Sequence, residues 1–138
     1  MKKLFLLFLL ITSGHANSLE NTKANIILEL GHIVTNNKVI KIYNTDSYFK
    51  NIFKENTQLQ EVTDYKKADL ILTQDSSNFS KNSNLNIIST RYRDYKKYKK
   101  RDIGAFFWQK GRPNILLNRN SLARRNIKIQ ETYRKYLD

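Results

Sequence analysis

Residues 69–73 read DLILT, and residues 86–89 read NIIS. Each is a short apolar run bounded by polar residues, which is typical of a strand buried on both faces of a sheet. Residues 76–86 between them are rich in Ser and Asn and predict a loop or a poor helix. Buried strands of this kind occur in parallel sheets, where helices cover the faces. The two runs therefore predict the centre of an α/β fold.

Helical and strand patterns alternate upstream of these strands. Residues 38–43 (KVIKIY) predict a strand rich in β-branched residues, and residues 59–62 predict a weaker one. A first helix is predicted from apolar residues at helical spacing, namely Ile26, Ile27, Leu30, Ile33 and Val34. A second, shorter helix is predicted with a buried face made of Tyr48, Phe49, Ile52 and Phe53.

The downstream part predicts a hairpin. Residues 103–109 and 114–118 read as strands, and residues 110–113 (KGRP) form the turn between them, in which Gly111 can take a positive φ. Residues 121–129 and 131–137 predict one or two short closing helices. The expected fold is one α/β domain with a mostly parallel sheet flanked by helices, ending in a β-hairpin and a short C-terminal helix.

The first residues predict export. Lys2 and Lys3 precede an apolar run at residues 4–11, and Gly14 and Ala16 supply small residues at a cleavage site. A membrane-spanning helix needs about 18 apolar residues, more than this run offers. We expect a signal peptide at residues 1–16 and a single domain at residues 17–138. Because the chain has no cysteine, the periplasm of a Gram-negative cell is the expected location.

The chain carries a formal net charge of +13 at pH 7. Such a charge ordinarily indicates nucleic acid as a partner. Predicted export argues against nucleic acid and favours an envelope protein or another anionic surface. Lys, Asn and Ile are all abundant, as is expected of a protein encoded by AT-rich codons. Local clusters of positive charge are therefore more informative about function than the total charge.

Signatures of catalysis are weak. His32 is the single histidine after the predicted signal peptide, and a metal site needs several convergent ligands. The sequence contains no G-x-S-x-G motif and no Gly-rich phosphate loop. Asp46 and Asp75 each follow a predicted strand, where they could cap helices or form an acid/base pair. We expect a protein without catalysis, metal or cofactor.

One segment combines cations with aromatic residues. Residues 91–101 read RYRDYKKYKKR, with tyrosines at positions 92, 95 and 98. On a helix these tyrosines form one stripe with cations around it. The stripe is either a packing face with solvated charges or part of a surface for an anionic partner. Together with the hairpin, the segment supplies the candidate partner-binding residues Trp108, Lys110, Arg112, Arg91, Arg93, Lys96 and Lys97.

Residues 103–129 (IGAFFWQKGRPNILLNRNSLARRNIKI) also carry a resemblance. A strand, a turn with Gly111 and Arg112, a second strand ending at Asn118 and a helix with a Leu/Ile-rich tail resemble the C-terminal signature of the YfiR-like family of small exported bacterial proteins. The resemblance implies a periplasmic regulator without catalysis. Such a regulator binds the sensor region of an inner-membrane diguanylate cyclase and restrains cyclic-di-GMP synthesis.

The chain departs from that family in two ways. Family members often carry cysteine pairs and a Gly-Gly before the penultimate strand, whereas this chain has no cysteine and only Gly104 there. The same element order also describes one lobe of a periplasmic solute-binding protein. That alternative places a small anion or metabolite at the strand ends, beside Asp46, Thr73 and Asp75.

Overall fold

A computed structural model describes residues 17–79 and 84–138 of the chain. The predicted signal peptide at residues 1–16 lies outside the described residues. The helices are α1 (Asn17–Val34), α2 (Ile52–Glu55), α3 (Tyr92–Tyr98) and α4 (Arg119–Arg124). The strands are β1 (Ile40–Asn44), β2 (Leu59–Glu61), β3 (Leu70–Thr73), β4 (Ile87–Ser89), β5 (Gly104–Gln109) and β6 (Arg112–Leu117). Short 3-10 helices lie at Ser47–Phe49, Tyr65–Lys67, Ser76–Asn78 and Glu131–Tyr136.

The six strands form one sheet in the order β2-β1-β3-β4-β5-β6. Each neighbouring pair from β2 to β5 is parallel, and β6 runs antiparallel to β5. The predicted α/β fold with a terminal hairpin is confirmed. Because the chain passes from β2 across β1 to β3, the order of the strands reverses between β1 and β3, where open α/β sheets commonly bind ligands.

The two sheet faces bury different amounts of apolar surface. On the larger face, α1 places Ala24, Ile27 and Leu30 against strand residues that include Ile42 and Phe106, all buried. The smaller face buries Ile71, Phe79 and Ile87. There the rings of Tyr43, Tyr65 and Phe79 meet edge to face, a preferred arrangement of aromatic rings.

The predicted second helix is interrupted. Phe49 and Ile52 are buried, as expected, but Phe49 closes the 3-10 helix Ser47–Phe49 and Ile52 begins α2. Because the two segments do not share one helical axis, Tyr48 does not join the buried face and is 42% exposed. The prediction of one continuous helical face was wrong in this respect.

The hairpin turn is shorter than expected. Gln109 pairs with Arg112, so only Lys110 and Gly111 lie between the strands. Their φ angles are 53° and 75°, and two successive positive values characterise the type I′ turn that favours right-handed strand twist. The predicted positive φ of Gly111 is confirmed. Arg112 and Pro113 belong to β6 rather than to the turn.

The C-terminal segment returns to the sheet. The Asn118 side chain caps α4 by accepting hydrogen bonds from the backbone N–H groups of Asn120 and Ser121. The helix ends at Arg124, short of the predicted residue 129, and Asn126 has a φ of 56°. A parallel bridge then joins Leu137 to Leu117. Among the described residues, no helix has the length and apolar character needed to cross a membrane.

Candidate functional site: a basic and aromatic surface

The position of α3 is fixed by a partly buried carboxylate. Asp94 accepts hydrogen bonds from the Ser89 hydroxyl at the end of β4 (2.8 Å) and from the Ser76 hydroxyl (2.7 Å). It also accepts the backbone N–H of Ser76. Bonds to a charged acceptor are stronger than neutral ones. They hold the first turn of α3 at the carboxyl edge of the sheet.

Only one tyrosine of the predicted stripe is buried. Tyr95 is 1% exposed, and its hydroxyl lies 3.1 Å from a carboxylate oxygen of Asp138. Tyr92 is 49% exposed, and Tyr98 is partly buried. The packing interpretation therefore holds for Tyr95, whereas Tyr92 stays available at the surface.

The four candidate cations of this segment face solvent. Arg91, Arg93, Lys96 and Lys97 are all exposed, and none forms an ion pair with an acidic residue in the part of the chain that the structure describes. The Lys96 ammonium lies 5.6 Å from the centre of the Tyr92 ring. That distance is within the range of a cation–π interaction. The segment thus presents exposed positive charge beside an exposed aromatic ring.

The hairpin extends this surface. The rings of Tyr92 and Phe107 are 5.6 Å apart. Phe107 pairs with Asn114, and Gln109 pairs with Arg112, so alternation places these four residues on the sheet face that α3 covers. Lys110 follows in the turn. Gln109, Lys110, Arg112 and Asn114 line an open cleft of about 390 Å³. We call Arg91, Tyr92, Arg93, Lys96, Lys97, Phe107, Lys110 and Arg112 the basic-aromatic surface.

Trp108 does not join that surface. Its side chain lies on the opposite sheet face, where its ring is 5.7 Å from Phe106 and 6.2 Å from Tyr48. It is partly buried and packs against the larger core. The structure therefore brings six of the seven candidate partner-binding residues to one side and places Trp108 on the other. Its neighbour in β5, Phe107, is the residue that lies on the side of the cations, where its ring contacts Tyr92.

A second cleft lies at the C-terminal end of α3. It measures about 820 Å³ and is open to solvent. We call it the lysine cleft. The Asn118 side chain donates to the backbone carbonyl of Lys99, and the Arg124 guanidinium donates to that of Lys100. The cleft is lined by Lys96, Lys97, Tyr98, Lys99, Lys100, Arg101, Asn118, Asn120 and Arg124.

Sequence reasoning did not identify the lysine cleft as a site. Lys99 and Lys100 were visible in the basic run, but Asn120 and Arg124 come from α4, and only the tertiary structure brings α4 beside the end of α3. The Arg124 guanidinium also donates to the Ser121 hydroxyl at 2.9 Å. These two hydrogen bonds orient the Arg124 guanidinium at the border of the cleft.

Arg101 is the exception in the basic run. It is 7% exposed, and its guanidinium pairs with Asp102 at 3.2 Å and donates to the backbone carbonyls of Ser76 (2.6 Å) and Phe79 (2.7 Å). A buried charge with this many partners has a structural role. We expected all cations of residues 91–101 to lie around one exposed helix. For Arg101 this expectation was wrong, because Arg101 follows the end of α3 and is buried.

The strand-end candidates are engaged within the fold. Asp46 accepts the Tyr48 N–H (2.9 Å) and the Gln74 side-chain amide (2.8 Å). Asp75 accepts the N–H and hydroxyl of Ser77, and these hydrogen bonds hold its pKa below the ordinary value. Both side chains cap 3-10 helices, as the capping interpretation predicts.

Thr73, the third strand-end candidate, is also satisfied internally. It is 1% exposed, and its hydroxyl lies 2.8 Å from the Thr45 hydroxyl and 3.1 Å from the Asp75 backbone nitrogen. The region where the strand order reverses is thus bridged by the protein's own side chains.

No metal-binding group is evident in the described ranges, where no three His, Cys, Asp or Glu side chains converge. His32 lies exposed in the last turn of α1, far along the chain from the basic-aromatic surface. Comparison of the chain with protein-family models, with curated proteins and with solved structures found no match.

Proposed function

We propose that this protein is an exported periplasmic binding protein without catalysis, and that it regulates an inner-membrane signalling protein by binding its sensor region. The observation that carries the proposal is the basic-aromatic surface. Six exposed cations, none of them ion-paired with a described acidic residue, lie on one side of the sheet with Tyr92 and Phe107 between α3 and the hairpin. A surface of this composition suits an acidic protein partner.

The chemistry of the surface favours a protein over a small metabolite. Aromatic side chains and arginines commonly dominate the binding energy of protein interfaces, at about 2 kcal/mol or more for each central residue. Tyr92, Phe107, Arg93 and Arg112 supply both kinds of side chain. The surrounding lysines would steer an acidic partner toward the surface and make binding sensitive to salt.

The identity of the partner rests on the YfiR-like resemblance of residues 103–129. It suggests the sensor region of a diguanylate cyclase in the inner membrane, whose activity the protein would restrain. The predicted signal peptide supports a periplasmic encounter. The alternative of a small solute-binding lobe receives less support, because Asp46, Thr73 and Asp75 already use their polar atoms within the fold.

The proposal is tested by charge reversal on the surface. The variant carries Arg93→Glu and Arg112→Glu, two exposed positions on different elements. The matched control carries Lys50→Glu and Lys54→Glu, which make the same change in net charge beside α2, on the opposite face of the sheet. Each protein is expressed in its host, and membrane proteins cross-linked to it are identified by mass spectrometry.

We expect the wild type and the control to capture one inner-membrane protein with a cytoplasmic signalling domain, and the surface variant to lose it while keeping its melting temperature. If that protein is a diguanylate cyclase, the surface variant also raises cellular cyclic-di-GMP. Capture of the same protein by all three forms, at equal yield and salt, would contradict the assignment of the surface.

A further inference from the structure

The lysine cleft gathers positive charge from two elements. Lys96, Lys97, Lys99 and Lys100 come from α3 and the turn after it, and Arg124 comes from α4. All five residues are exposed. Asn118 and Asn120 add polar side chains to the lining. The cleft is therefore concave, rich in hydrogen-bond donors and bordered by cations.

Negative charge within the cleft is scarce. Among the described residues, no acidic side chain lines it. Two carboxylates pair with its cations: Asp102 with the buried Arg101, and Asp138, which lies 2.9 Å from the Lys99 ammonium. The five exposed cations therefore share one carboxylate. That carboxylate also accepts the Tyr95 hydroxyl at 3.1 Å. One negative charge set against five positive charges leaves a strong excess, so a ligand with a single charge would not balance the site.

We propose that the lysine cleft binds an oligophosphate group, a ligand that carries two or more neighbouring phosphates. Phosphate oxygens accept hydrogen bonds from ammonium and guanidinium groups together, and Arg124 is already oriented by its bonds to Lys100 and Ser121. The cleft shares Lys96 and Lys97 with the basic-aromatic surface, whereas Lys99, Lys100, Asn120 and Arg124 belong to the cleft alone.

Asp138 acts as an internal competitor for this ligand. The Asp138 carboxylate forms an ion pair with the Lys99 ammonium. Hydrogen bonding from Lys99 keeps the pKa of Asp138 below the ordinary value, so the carboxylate is charged at neutral pH. A phosphate that binds in the cleft must compete with the Asp138 carboxylate for the Lys99 ammonium. Removing the carboxylate therefore strengthens binding, whereas removing cleft donors weakens it.

The test is calorimetric titration of the purified protein with sodium tripolyphosphate at low salt. The cleft variant carries Lys100→Glu and Asn120→Asp, at positions found only in the cleft. Its control carries Lys54→Glu and Gln60→Glu, exposed positions outside the cleft with the same change in charge. We expect the cleft variant to bind about tenfold more weakly or worse and the control to bind like the wild type.

A third variant guards against misfolding as the explanation. Asp138→Asn is expected to bind tripolyphosphate about threefold more tightly, a gain that an unfolded protein would not show. Equal affinity in the wild type and the cleft variant, or an equal loss in the cleft variant and the control, would overturn the inference. So would weaker binding by Asp138→Asn.

The source of the phosphate is distinguished by a second arm of the experiment. Vesicles containing a lipid with a bisphosphorylated headgroup are mixed with the protein, and sedimentation measures the bound fraction. Binding that tripolyphosphate displaces assigns the site to a lipid headgroup, and tripolyphosphate binding without vesicle binding assigns it to a soluble ligand. The cleft variant keeps the membrane protein captured by the wild type, so failure here and failure of the proposed function are separable.

Discussion

The Ser76 hydroxyl lies 2.7 Å from a carboxylate oxygen of Asp102. The same hydroxyl lies 2.7 Å from Asp94. A hydroxyl has a single proton to donate, so Ser76 donates to one carboxylate, and the other contact is a good hydrogen bond only if that carboxyl group carries a proton. Asp102 is 0% exposed. Burial raises the pKa of its carboxyl group to about 6, against the opposing effects of Ser76 and Arg101.

The first prediction concerns pH. The folded state keeps a proton on Asp102 between the ordinary pKa of 3.8 and about 6, where the unfolded chain has lost it. The free energy of unfolding should therefore fall as the pH rises through that window, by about 3 kcal/mol for a shift of this size. Asp75 and Asp138 have lowered pKa values, so their contributions are lost only at more acidic pH.

Urea unfolding at several pH values between 4 and 7 checks this prediction. Asp102→Asn replaces the carboxyl group with a neutral side chain that can still donate to Ser76, so its stability should vary less over the same range. The charged neighbours Arg101, Asp94 and Arg125 are common to both proteins. A constant difference between the two proteins from pH 4 to 7 would exclude titration of Asp102 as the cause.

The second prediction concerns the turn. Gly111 has a φ of 75° and no atom within 4 Å of the position that a Cβ would take. Conformation rather than crowding therefore decides the cost of a substitution. Gly111→Val should lower the free energy of unfolding by about 1 kcal/mol or more. Gly111→Asn, which tolerates this region better, should cost less. Equal melting temperatures for both variants and the wild type would refute the turn geometry.

The third prediction concerns a close approach between strands. A Cβ at Gly104 would lie 2.3 Å from the backbone carbonyl oxygen of Leu116. Because a backbone atom in a paired strand cannot move aside freely, Gly104→Ala should destabilise the protein by about 2 kcal/mol. Denaturant unfolding measures the change. A melting temperature at or above that of the wild type would show that the hairpin relaxes without cost.

The fourth prediction separates two neighbouring aromatic residues. Trp108 packs against the core of the larger face, whereas Phe107 lies on the opposite face beside Tyr92. Trp108→Ala should lower the free energy of unfolding by about 2 kcal/mol and leave partner capture intact at temperatures where the variant is folded. Phe107→Ala should reduce capture more than it reduces stability. The reverse pattern would mean that Trp108, not Phe107, contacts the partner.

Local sequence was sufficient for the strands and caps. The apolar runs at residues 69–73 and 86–89 are strands within one residue of the predicted bounds because their burial requires continuous apolar side chains. Asp46 and Asp75 cap as expected because their hydrogen bonds reach only two residues along the chain. Interactions of this range are contained in the sequence that surrounds them.

Features that depend on distant segments were not predictable. Period-two alternation separates Phe107 from Trp108, but it does not indicate which of them faces α3. Arg101 looked like its exposed neighbours, and its burial depends on carbonyls more than twenty residues away, at Ser76 and Phe79. The lysine cleft likewise requires α4 to meet the end of α3.

The bridge between Leu117 and Leu137 also limits pairing of the edge strand β6 with strands of other molecules. The Asp138 N–H donates to the Leu117 carbonyl, so the backbone N–H and C=O groups of Leu117 point away from β5. In an antiparallel pair these groups alternate in direction along a strand, and those of Ile115 and Pro113 therefore also point away from β5. Pro113 has no N–H to offer, and the Leu117 carbonyl is occupied. Ile115 alone among these three presents both a donor and an acceptor, which is too little for another chain to add a strand. The β6 edge of the sheet is thereby protected against aggregation.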